Sequence, residues 1–61
     1  MNSININGQI KNVSLAVAKF YFDVKEASEL ESLFQFECFL SGKSAKDVYN
    51  AWVVRGIIVK C

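Results

Sequence analysis

A small α+β domain in the order β-β-α-α-β is the fold the chain predicts, on three observations. Asn7-Gly8 separates two short alternating runs as a tight hairpin turn does, helical spacing takes over after Val24 and again after Ser44, and Ile57-Ile58-Val59 closes the chain with β-branched residues. At 61 residues the chain forms one domain over positions 1–61. The expected architecture is an N-terminal hairpin with two helices packed on the sheet and a short C-terminal strand.

The first strand carries Ile4 and Ile6 between Asn residues, with Ile10 continuing the alternation beyond the turn. The second is expected from Val13 to Val24. Ala16, Ala18, Phe20, Phe22 and Val24 would share one face, extended by Ser14, and Val13, Leu15, Val17, Lys19, Tyr21 and Asp23 the other. A helical alignment of Val13, Val17, Phe20, Val24 and Ala27 also fits this stretch, but Phe-Tyr-Phe favours the strand.

After Val24, Ala27, Leu30, Leu33 and Phe34 form a helical stripe opposite Ser28, Glu31, Ser32 and Gln35. Glu26 and Glu29 lie in its first turn, where the helix dipole favours acids. From Phe34 onward a strand-like alternation competes, yet Gly42 suits the position past a helix end, so the helix is taken to about Leu40.

Gly42-Lys43-Ser44 has the look of a phosphate loop. Such a loop needs a glycine five positions earlier, where this chain has Glu37, a carboxylate that would repel the ligand. The triplet is better explained as punctuation: Gly42 ends one helix, Ser44 caps the next, and Asp47 sits at its third position. That next helix is expected from Ser44 to Arg55, with Ala45, Val48, Tyr49 and Trp52 in line and Gly56 at its end.

Composition excludes several kinds of chemistry. The chain has no histidine and only two cysteines, too few for a structural zinc site or a disulfide framework. Neither Cys38 nor Cys61 has a basic sequence neighbour that activates a thiol, apart from Lys60 at the chain end. No enzyme activity, cofactor, metal or small-molecule substrate is therefore expected. The polar start and the lack of an ~18-residue apolar run point to a cytoplasmic chain without a membrane partner. On that expectation, the glycosylation-type triplet Asn12-Val13-Ser14 is coincidental.

What composition favours is association, because 52% hydrophobic residues, five of them Phe, exceed what a small core easily hides. The expected function is that of a small non-catalytic protein-binding module, such as an inhibitor or accessory factor of the kind mobile elements or phages encode. Homodimerisation belongs to the same expectation. Tyr21 and Phe39 are candidate anchors, and Glu37, flanked by Phe36, Cys38 and Phe39, is the candidate charged contact.

A polar-alternating strand followed by two helices joined through Gly-x-Ser resembles the ribbon-helix-helix DNA-binding proteins, over Lys19 to about Arg55. The resemblance implies a dimeric transcriptional regulator with Lys19, Tyr21 and Asp23 at base edges. Lys43, Ser44 and Lys46 would then meet phosphate. Trp52-Val53-Val54-Arg55-Gly56 similarly resembles the end of a recognition helix in other helix-turn-helix proteins. A net charge of +1 supplies little electrostatic attraction to nucleic acid, so this remains the alternative.

Overall fold

The computed structural model describes residues 2–60, and the architecture is α+β in the order β1 (Asn2–Ile6), β2 (Gln9–Val13), α1 (Leu15–Tyr21), α2 (Glu29–Ser41) and α3 (Ala45–Arg55). β1 and β2 pair antiparallel, from Asn2 opposite Val13 to Ile6 opposite Gln9. The turn is built as its sequence demands. Asn7 and Gly8 both take positive φ, 50° and 86°, and the Asn5 side-chain oxygen accepts the Gly8 N–H at 2.8 Å. Ile4, Ile6 and Val13 face the core from this hairpin, while Ile10 lies on the opposite face with Asn5 and is exposed.

The expected strand from Val13 to Val24 does not form. β2 stops at Val13, and Ser14 turns the chain into α1, its Oγ accepting the Val17 N–H at 3.2 Å. The physical reason is that residues 15–22 are apolar almost without interruption, so period 2 and period 3.6 fit equally well, and the cap decides. Leu15, two alanines and Lys19 favour the helix, and Ala18 is small enough to be fully buried under it. The proposed strand face is split: Ala18 and Val24 are buried, whereas Ala16 and Phe20 are exposed.

α2 begins at Glu29, later than the acids at its start suggest. Tight turns lead into it, with the N–H groups of Glu29, Leu30 and Glu31 donating to the carbonyls of Glu26, Ala27 and Ser28. The Glu29 carboxylate accepts the backbone N–H groups of Glu26 and Lys25 at 2.8 and 2.6 Å. These bonds, Glu26's first, hold its carboxyl below the usual carboxylate range. At its other end α2 runs one residue past Leu40, and Gly42 closes it at φ 69°.

The Ser41 hydroxyl donates to the Glu37 carbonyl and accepts the Lys43 N–H, and the Ser44 Oγ accepts the Asp47 N–H at 3.2 Å to start α3. Gly42-Lys43-Ser44 is thus an interhelical turn. Ser44→Ala is expected to lower stability by about 1 kcal/mol through loss of the cap, and Lys43→Ala to leave it nearly unchanged, in urea melts followed by circular dichroism.

The expected C-terminal strand is also absent. Gly56 at φ 85° reverses the chain, and the N–H groups of Ile57 and Ile58 both donate to the Trp52 carbonyl, so the helix end takes donors a ladder would need. What remains is one antiparallel bridge, Val13 to Ile58, flanked by bonds from Ser14 N to Ile57 O and Val59 N to Asn12 O. Ile57 and Ile58 are buried there. Cys61 lies outside the described residues.

Leu30 and Phe34 of α2 and Val48 and Trp52 of α3 complete the core. The Trp52 ring meets Phe34 edge-on at 5.2 Å between centroids and Phe22 at 5.4 Å. One further bond ties helix to hairpin: the Glu31 carboxylate accepts the backbone N–H of Asn5 at 2.8 Å, on β1.

Candidate protein-binding surface

Phe34 and Leu30 point α2 into the core, and a helix of ordinary amphipathic design would turn a polar face outward. α2 does not. Phe36 is 56% exposed, Phe39 82% and Leu40 66%, all toward solvent from the second half of the helix. Phe39, the expected anchor, is thus exposed to solvent. An open apolar groove of about 340 Å³ borders this face, between Leu33, Phe36 and Leu40 on one side and the Phe22 ring on the other.

Glu37 lies at the flank of this surface and is engaged within the chain. Its Oε1 accepts the indole N–H of Trp52 at 3.1 Å and lies 3.7 Å from Nη1 of Arg55. The Arg55 guanidinium in turn stacks over the Tyr21 ring, 5.5 Å from its centroid. The structure therefore brings Tyr21 and Glu37 together through Arg55 and joins all three helices. Phe39 is not part of that cluster. It lies two positions from Glu37, about 200° around the helix.

Sequence reasoning named Phe39 and missed Phe36, Leu40 and the groove wall of Phe22 and Leu33. The signal was available in part, since Phe36 and Phe39 fall opposite Leu30 and Phe34 on a helical projection, whereas Leu40 falls to the side near Leu33. The linking role of Arg55 had no local signal.

The residues expected at nucleic acid are dispersed. Lys19 and Tyr21 sit on α1, not on a strand, so the ribbon of the ribbon-helix-helix resemblance is missing and no strand presents them with Asp23. Lys43 and Lys46 are exposed around the turn into α3, and the Ser44 hydroxyl between them is occupied by its capping bond. Lys46 also borders a separate groove with Tyr49 and Lys11, whose Nζ lies 5.3 Å over the Tyr49 ring.

Cys38 is a free, half-buried thiol. Among the described residues no His, Cys, Asp and Glu side chains gather in threes as metal ligands do. Likewise, no helix is long and apolar enough to cross a membrane. Comparison with protein-family models, with curated proteins and with solved structures finds no match for this chain, so the surface itself carries the functional reading.

Proposed function

We propose that the chain is a small non-catalytic protein-binding module, an inhibitor or accessory factor of the kind mobile elements or phages encode, that acts through protein contact on the outer face of α2. One observation carries this reading: α2 is apolar on both its core face and its outer face, with Phe36, Phe39 and Leu40 bare on a 61-residue domain. Aromatic side chains rimmed by polar ones, here Ser32, Gln35 and Ser41, are the usual anchors of such contacts. A free Cys38 suits a reducing compartment, and the cytoplasm is the proposed site of action.

The test is the variant Phe39→Asp. Because Phe39 is so exposed, its replacement is expected to shift stability by no more than about 0.5 kcal/mol. Affinity capture from the native host should recover a protein with the wild-type chain and lose it with the variant. A wild-type chain that captures nothing and does not self-associate would reject the reading.

The alternative, a DNA-binding regulator of helix-turn-helix type, draws on the glycine-containing turn between α2 and α3, which leaves Lys43 and Lys46 exposed. It requires duplex retention in ~50 mM salt, weakened by Lys43→Ala and Lys46→Ala. Retention that ignores both substitutions, or no retention, removes it.

A further inference from the structure

Lysines gather where β2, α3 and the C-terminal segment meet, and contacts of the fold put them there. The Val59 N–H donates to the Asn12 carbonyl at 2.8 Å and lays the last residues beside β2. In the register of the Val13–Ile58 bridge, Lys60 falls opposite Lys11. Lys11 also reaches α3, its Nζ 5.3 Å over the Tyr49 ring, and Lys46 lies one helical turn before that tyrosine.

Two open grooves, about 240 and 340 Å³, run side by side over this junction and share Lys11 and Tyr49. Lys46 borders the first with the amides of Asn7 and Gln9, and Lys60 borders the second with Ile10 and Val59. Among the described residues no acid lines either groove, and none of the three lysines is in an ion pair. Every acid of the chain but Asp47 falls between Asp23 and Glu37, and Asp47 lies about 200° around α3 from Tyr49. The near-neutral total of +1 thus conceals a face on which positive charge has nothing to offset it. Lys11 and Lys60 repel one another across the bridge, and an anion between them replaces that repulsion with two attractions.

We propose that this double groove binds an acidic, partly apolar segment of a partner protein, its carboxylates at Lys46, Lys11 and Lys60 and an apolar side chain beside Ile10 and Val59. Ile10 is 66% exposed and Val59 43%, so the basic grooves have an apolar rim that a peptide can use and a phosphate backbone cannot. Nucleic acid fits less well on two further counts. Three lysines fall short of the roughly six to ten phosphate contacts of a strong duplex binder, and Lys11 already covers a face of the Tyr49 ring on which a base would stack. The surface is separate from the outer face of α2 and does not depend on the reading of that helix.

Fluorescence anisotropy on the full chain tests this. The probe is a labelled peptide of about eight residues, glutamate alternating with leucine, which at ~3.3 Å per residue can span both grooves. The wild type should bind it in ~50 mM salt, more weakly as salt rises, and should not bind the same peptide with glutamine for glutamate. Lys46→Glu and Lys60→Glu, both at exposed positions, should each weaken binding about tenfold. Ile10→Ser should weaken it about threefold. Lys19→Glu, the same charge change on α1 outside the grooves, should leave it as in wild type.

No binding by the wild type overturns the proposal. So does an equal loss with Lys19→Glu, which would show attraction to net charge alone, or tighter binding of a single-stranded oligonucleotide of equal charge, which would give the face to nucleic acid. Phe39→Asp separates this surface from α2. If that variant binds the peptide normally yet captures no host protein, both surfaces stand, and if it loses the peptide, the peptide lies on α2 and the basic groove falls.

Discussion

Trp52→Ala is expected to cost about 3 to 5 kcal/mol, enough to leave most of a domain this small unfolded at room temperature. The indole is the largest fully buried side chain in the chain. It fills the space between Phe34 of α2 and Phe22, the residue that ends α1, so its removal opens a cavity where all three helices meet. The carbonyl of the same residue accepts the N–H groups of Ile57 and Ile58, so a loosened α3 end would also release the segment bridged to β2. Urea denaturation followed by far-ultraviolet circular dichroism measures this. A variant as stable as wild type would place the ring outside the core.

Glu37→Ala is expected to have the next largest effect, about 1 to 3 kcal/mol, and the loss comes mainly from the indole and not from the arginine. Without the carboxylate, the N–H of a fully buried tryptophan has no acceptor, which costs its desolvation. The contact to Arg55, at 3.7 Å between partly exposed groups, contributes less. Glu37→Gln keeps an amide oxygen for the indole and loses only the charge, so it should stay within about 1 kcal/mol of wild type. A double-mutant cycle with Trp52→Phe separates the two. If Glu37→Ala costs as much beside phenylalanine as beside tryptophan, the indole bond is not what Glu37 supplies.

The parts of the fold legible in the sequence are those held by local chemistry. Asn7-Gly8 takes the positive φ pair of the hairpin, and Ser44, Asp47 and Gly56 bound α3 as expected. Over residues 15–22 local chemistry was ambiguous, because a segment apolar on every side has no period to read, and one hydroxyl, Ser14, set the outcome. The C-terminal strand failed for a different reason. Ile57 and Ile58 have strand propensity, but their donors were already committed to a carbonyl five and six residues back.

The proposed binding surface was half legible. Phe39 could be named because it breaks the helical stripe. Glu37 was conspicuous as an acid among apolar neighbours, yet its partners Trp52 and Arg55 come from another helix, and only tertiary packing decides that they meet.

The bond from Glu31 to the backbone of Asn5 has a bearing on solubility. β1 has β2 on one side only, and a bare strand edge invites copies to add on without limit, as in fibrils. With a carboxylate seated on Asn5, an incoming strand finds one of its docking donors taken and a negative charge in its path. The hairpin edge thereby offers a further strand one donor fewer and a negative charge to displace.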